Sequence, residues 1–224
     1  MSEDLKDALK RVIVPINPDG YFIIGVSVVV TFLLLLLSNF LGTVALILTA
    51  FIIYFFRNPD RVSPDDKNVV LASADGVIDK IESDVSAPKE LNIDGTFQRV
   101  SIFLNTFNVH VQRVPIDGTI EKTEYVEGKF LNITNDKYHD DNERQITLMK
   151  TKDGLPVVFV QIAGFVARRI VFRLKEGQEV IAGQRFGSIK FGSRVDVYLP
   201  REVEIKVKVG QLAIGGETVI GVLK

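Results

Sequence analysis

Hydrophobic positions fall along this chain in two regimes. Residues 21–56 run for 36 positions without Asp, Glu, Lys or Arg, the pattern of a helix that is apolar all round rather than on one stripe. As one helix the block would be about 54 Å long, against a hydrocarbon core of about 30 Å. One straight span does not fit. Ser38-Asn39 divides it into two arms, 21–37 and 40–56, of 17 residues each, with Gly42 close by. Ser-Asn is turn chemistry, so the pattern predicts a membrane helical hairpin. Lys6, Lys10 and Arg11 precede it and Arg57, Arg61 and Lys67 follow it. The positive-inside rule then puts both ends, and the domain that follows, on the cytoplasmic side of the cell membrane. A cleaved signal peptide fits less well, because the apolar stretch is too long, begins too late and lacks a small-x-small site.

After Arg57 the grammar changes to short alternating runs broken by Gly, Pro, Asn and Asp, which is that of strands and turns. Val203, Ile205, Val207 and Val209 alternate with Glu204, Lys206 and Lys208, and Ile170, Phe172 and Leu174 flank Arg173 in the same way. Each run reads as a half-buried strand. Further strands are predicted at 99–104, 108–114, 145–150 and 157–162, with turns at Ile116-Asp117-Gly118 and Lys152-Asp153-Gly154. Residues 128–142 read as a long loop or the one helical exception. Lys175-Glu176-Gly177-Gln178 and Ala182-Gly183 recur 33 residues later as Lys208-Val209-Gly210-Gln211 and Gly215-Gly216. Two hairpins folded over each other, with Ala74-Asp75-Gly76-Val77-Ile78 as an opening strand, predict a mainly β, barrel-sandwich-hybrid-like domain carrying an N-terminal transmembrane or membrane-associated helical hairpin. The domain plan is a segment 1–20, a hairpin 21–56 and a soluble domain 57–224.

Composition narrows the chemistry. The net charge of -1 offers no basic field for nucleic acid. Zero Cys excludes disulfides, thiolate metal sites and a cysteine nucleophile, and two His make a histidine metal centre hard to build. Reactive groups must come from Ser, His, Asp or Lys. Gly-Ser occurs twice in residues 185–200, at Gly187-Ser188 and Gly192-Ser193. Alone it is ordinary turn material.

The second copy continues as Arg194-Val195-Asp196-Val197-Tyr198-Leu199-Pro200, and this setting resembles the self-cleavage site of the short-form phosphatidylserine decarboxylases, pyruvoyl enzymes that include archaeal archaetidylserine decarboxylases. The resemblance extends in order and spacing over the chain. It takes in the hairpin, Phe55-Phe56-Arg57-Asn58-Pro59-Asp60-Arg61, Ala74-Asp75-Gly76 and Phe107-Asn108-Val109-His110-Val111-Gln112-Arg113-Val114-Pro115. Asn142-Glu143-Arg144, Ala163-Gly164 and Arg168-Arg169 complete it.

The resemblance implies a lyase that decarboxylates the serine head group of a membrane phospholipid, phosphatidylserine or archaetidylserine, to the ethanolamine lipid. In such enzymes the serine hydroxyl attacks the preceding glycine carbonyl, and elimination leaves a pyruvoyl group at a new N-terminus. Here the cut would fall between Gly192 and Ser193, giving a large chain 1–192 and a small chain 193–224 of 32 residues. Glycine leaves the attacked carbonyl unobstructed, and serine supplies the oxygen. Decarboxylation needs an electron sink that no side chain here provides, so the cofactor implied is pyruvoyl, made from Ser193, with neither PLP nor metal. By pattern alone His110 is a strand histidine and Asp75 an Asx turn. The resemblance gives them, with Ser193, catalytic standing as base and proton donor. In longer members a second histidine stands three residues after the first, and Arg113 occupies that place here, so no intact relay is implied. Arg168 and Arg169 are candidate partners of the lipid phosphate. His139, among Asp136, Asp140, Asp141 and Glu143, reads as a solvated acidic loop. The alternative is a non-catalytic membrane-tethered barrel-sandwich carrier or adaptor. Its modifiable lysine would be Lys150 or Lys137, neither in a carrier setting.

Overall fold

A computed structural model describes residues 14–129, 141–164, 169–190 and 193–223. It divides into two compact units, 1–60 and 61–224.

In the first unit a short 3-10 turn, Pro18–Gly20, leads into helix α1 (Tyr21–Leu37), and helix α2 (Asn39–Phe55) follows directly. The break falls on Ser38, whose extended backbone (φ -161°, ψ 128°) stops the first helix. The helices pack through small and polar residues, as helices do where the surroundings are themselves apolar. Thr31 Oγ1 meets Thr49 Oγ1 at 2.9 Å in the buried seam, and Gly42 lies against the Leu35 side chain. Their outer faces carry exposed Leu36, Leu37, Phe40 and Ile47. Pro18–Leu37, with mean hydropathy 2.6, is long and apolar enough to cross a bilayer, whereas Asn39–Phe55 is shorter than that measure requires.

The second unit is mainly β. Its strands in chain order are β1 (Val69–Leu71), β2 (Gly76–Ser86), β3 (Thr96–Leu104), β4 (Val111–Arg113), β5 (Gly118–Val126), β6 (Arg144–Thr151) and β7 (Pro156–Ala163). They continue as β8 (Ile170–Phe172), β9 (Glu179–Val180), β10 (Arg185–Ile189), β11 (Ser193–Pro200), β12 (Val203–Ile205), β13 (Leu212–Ala213) and β14 (Val219–Leu223). Eight form one curled sheet in the order β13-β2-β3-β11-β7-β6-β5-β9, and two three-stranded sheets, β1-β14-β12 and β4-β10-β8, complete the half-barrel. The main core, with Ile102, Phe159, Val195, Val197, Phe186 and Ile220, fills the space between them. On the other face of the large sheet Leu91 and Phe97 cover Ile146, Val158, Val160 and Ile162.

The repeat in the sequence is a structural repeat. Gly177 and Gly210 N–H donate to Ile120 O and Ile78 O, both at 2.8 Å, and Gly183 and Gly216 N–H donate to Val114 O and Ala72 O at 2.9 and 2.8 Å. Gly183 and Gly216 share a left-handed φ, +78° and +80°, which a side chain would strain. The partner segments 114–120 and 72–78 are therefore equivalent too, and both contain Asp-Gly at the same place, Asp117-Gly118 and Asp75-Gly76.

Three predicted strands are shorter than expected, and of these the run through Leu174 ends at Phe172. Residues 108–110 are not strand, because Asn105 and Asn108 capture the backbone first: Asn108 Oδ1 accepts from Asn105 N–H at 2.9 Å and Asn105 Oδ1 from Phe107 N–H at 2.8 Å. Residues 206–209 are not strand: Lys206 N–H still donates to Ile220 O at 2.9 Å, and the chain then turns at Gly210, whose N–H donates to Ile78 O.

Candidate active site

Ser193 opens β11, the strand between β3 and β7, and pairs with Leu104 on one side and Ala163 on the other. It is fully buried, and among the described residues its Oγ has no hydrogen-bond partner. A buried hydroxyl without a partner costs on the order of 1–3 kcal/mol and calls for a reason. The alternation of β11 puts Ser193, Val195 and Val197 toward the main core and Arg194, Asp196 and Tyr198 on the opposite face. There Arg194 Nε donates to Asp196 Oδ1 and Nη2 to Ser101 Oγ, both at 2.7 Å. Arg99 extends the network to Glu82 and Asp196. Tyr198 is pushed up to about 12 by burial and by the Asp196 charge. The residue after Ser193 is thus clamped by a buried ion pair.

His110 stands just ahead of β4 and is 3% exposed. Its Nδ1 lies 2.9 Å from Asn108 O. A carbonyl only accepts, so Nδ1 carries the hydrogen, and in the neutral ring Nε2 carries the lone pair. The His110 carbonyl accepts from Ile189 N–H at 3.2 Å, which fixes it to the end of β10, four residues before Ser193. It also accepts from Gln112 Nε2 at 3.1 Å, while Gln112 Oε1 accepts from Gln161 Nε2 at 3.0 Å. Gly187 makes room for this pair, since a Cβ there would lie 3.0 Å from Gln161 Nε2 and collide with Val171 O.

Asp75 precedes β2, and β3 separates β2 from the strand of Ser193. Its Oδ2 pairs with Arg61 at 2.7 Å and its Oδ1 accepts from Gly215 N–H at 2.8 Å. Arg113, in the place of the second histidine, is a turn clamp. Its Cδ is 2.6 Å from where a Gly216 Cβ would be, and its Nη1 donates to Gly183 O at 2.8 Å. Arg169 is exposed, and its carbonyl accepts from Lys190 N–H at 3.2 Å, beside the link that leads to Ser193. Gly192, Arg168, Lys137 and His139 lie outside the described residues. Lys150 sits within β6, paired with Glu121 at 2.6 Å, rather than at a hairpin tip. Among the described residues no group of three or more His, Asp or Glu could hold a metal ion.

The structure thus brings His110 to the strand end that precedes Ser193 and sets Asp75 two strands away on a turn. Sequence reasoning missed Gln112, Gln161 and Arg61. A glutamine at an inward position of the apolar run Val157, Phe159, Gln161, Ala163 is the signal that could have found the first pair.

A profile of the phosphatidylserine decarboxylase family matches residues 48–221. Proteins described as phosphatidylserine decarboxylase proenzyme from Rickettsia akari (strain Hartford) and Rickettsia felis (strain ATCC VR-1525 / URRWXCal2) are each 51% identical over 206 residues, covering 92% of this chain and 89% of theirs. The one from Rickettsia bellii (strain OSU 85-389) is similar to the same extent. With Ser193 buried at the head of a central strand and His110 anchored to the end of β10, the chain belongs to the phosphatidylserine decarboxylase family.

Proposed function

We propose that this chain cuts itself between Gly192 and Ser193 and then removes the carboxylate of the phosphatidylserine head group, releasing the ethanolamine lipid and carbon dioxide. The observation that carries the reading is the orphaned Ser193 Oγ, in a chain whose relatives are described as proenzymes. Conversion of Ser193 to a pyruvoyl group replaces the unsatisfied donor by a ketone, which has no O–H to satisfy. That group supplies the electron sink for decarboxylation.

The chain's own residues do the rest. Pairing with β3 and β7, and the Arg194–Asp196 clamp behind them, hold residue 193 in place once the bond before it is cut. His110, its Nδ1 anchored on Asn108, moves protons at Nε2: away from the Ser193 hydroxyl during maturation, and to the substrate carbon after carbon dioxide leaves. Asp75 assists processing. Arg169, with Arg168, meets the lipid phosphate from the exposed side of the Lys190 link. The hairpin, read as spanning the bilayer with both ends cytosolic, keeps the domain at the surface where head groups lie.

Intact mass of the purified protein tests this. Two chains are expected, the smaller of 32 residues beginning with a ketone. A single full-length chain that still decarboxylates phosphatidylserine overturns the reading.

A further inference from the structure

Gln112 and Gln161, 0% and 1% exposed, form a directed chain through the buried core. The His110 carbonyl can only accept, so the Gln112 amide must turn its nitrogen to it and its oxygen to Gln161. Gln161 must then give its nitrogen to Gln112 and point its own oxygen away. The end of the chain is an acceptor. Among the described residues that atom, Gln161 Oε1, has no partner, and neither do the hydroxyls of Ser193, Thr147 and Ser73. Gln161 and Ser193 face the same side of the sheet, because Gln161 pairs with Val195 and Ala163 with Ser193. They are diagonal neighbours across the β7–β11 ladder, a spacing of about 7–8 Å that long side chains bridge. A buried acceptor and a buried donor are each left open, one ladder step apart.

We propose that Gln161 is a positioning residue for self-processing: its Oε1 accepts the Ser193 hydroxyl and so turns the oxygen lone pair toward the carbonyl of residue 192. The inference rests on Ser193 being the processed residue. In the step it serves, the Ser193 Oγ to carbonyl carbon bond forms and the carbon to nitrogen bond before residue 193 breaks. The hydroxyl proton ends on the freed amine, so the step is an isomerisation that needs no co-reactant. An amide takes no proton at neutral pH, so Gln161 orients the hydroxyl and leaves the proton to a base. Its own orientation is set by the His110 carbonyl, which couples the angle of the nucleophile to the segment ahead of β4 that carries the histidine.

The test follows cleavage of full-length chain during cell-free synthesis into lipid nanodiscs. Gln161→Met keeps the volume and removes the acceptor. Cleavage is expected to slow by about tenfold or more, the scale of one lost buried hydrogen bond. Added hydroxylamine, which cuts an accumulated ester, is expected not to restore it. Gln161→Glu reproduces the glutamine pattern while its buried carboxyl is protonated and opposes Gln112 Oε1 once ionised. Its cleavage rate relative to the unsubstituted chain at each pH should therefore fall as pH rises. An unchanged rate in Gln161→Met, or rapid cleavage of it on adding hydroxylamine, overturns the proposal. If the Met variant does not fold, the Glu variant decides alone, and a pH-independent ratio overturns it. Ser193→Ala run alongside separates the two readings, since cleavage of that variant would sink the choice of Ser193 itself.

Discussion

Asp75 and Asp117 hold the same position in the two halves of the domain. Each carboxylate accepts, at 2.8 Å, the N–H just ahead of a left-handed glycine, from Gly215 and Ala182 respectively. They differ in what meets the other oxygen: Arg61 at 2.7 Å for Asp75, and Lys67 and Lys152 at 3.4 and 3.8 Å for Asp117. The repeat thus contains an internal control for the role of Asp75.

Asp75→Asn and Asp117→Asn both keep an oxygen for the turn and both lose an ion pair. If Asp75 takes part in maturation, its variant should cleave slower by about 10²-fold or more, the usual worth of a positioned acid-base group, while Asp117→Asn cleaves normally. Equal cleavage in the two, read on a gel time course, would reduce Asp75 to a turn cap.

Asp117 also predicts an acid limit. Burial raises its pKa, but the Ala182 N–H, Lys67 and Lys152 outweigh this and hold the carboxyl below its ordinary value. It therefore binds its proton less readily folded than unfolded, and contributes stability above about pH 4 that is lost as pH falls through the lower folded value. In detergent, the Tm difference between the unsubstituted protein and Asp117→Asn should be full at pH 6 and shrink below pH 4. A difference that grows on acidification would contradict the sign.

Of the two Gly-Ser pairs, only Ser193 should be processed. Ser188 lies inside β10, paired on both sides with Val111 and Val171, where a cut would break a ladder. Ser193→Ala should run as one chain and Ser188→Ala as two, and the reverse pattern would move the site.

His110→Ala separates making the cofactor from using it. Losing about 10² to 10⁴ in rate is survivable in a single maturation with hours available and conspicuous in repeated turnover. Partial cleavage with almost no decarboxylation is expected. Normal amounts of small chain together with normal turnover of phosphatidylserine would remove His110 from the mechanism.

Topology is testable with a reporter active only outside the cytoplasm. It should be silent when fused after Lys224 and active when inserted between Ser38 and Asn39. An active C-terminal fusion would overturn the hairpin orientation.

Much of this was legible in the sequence. A long uncharged run broken by Ser38-Asn39 leaves the chain little choice but two helices, and the alternation in β3, β6 and β7 places their faces directly. His110 was misread as lying within a strand, because the asparagines on either side of Phe107 act through their side chains, which periodicity does not register. The second half of the repeat was present as Asp-Gly-x-Ile at 75–78 and 117–120, but its equivalence depends on hydrogen bonds to segments far along the chain. Gln112 and Gln161 are 49 residues apart, and only the closing of the barrel makes them a pair.

The placement of β11 governs what becomes of a chain cut ahead of Ser193. Its small piece contributes β11 to the middle of the large sheet and also supplies β12, β13 and β14, so the two pieces are woven together and neither can depart without opening the barrel. What was strand insertion within one molecule becomes, after the cut, a bimolecular encounter without the effective concentration of a linker. Such a cut would therefore fix the folded state as a kinetic product: once melted, the pieces would have no tether to guide reassembly, and the lifetime of the cut protein would be set by how slowly the sheet first opens.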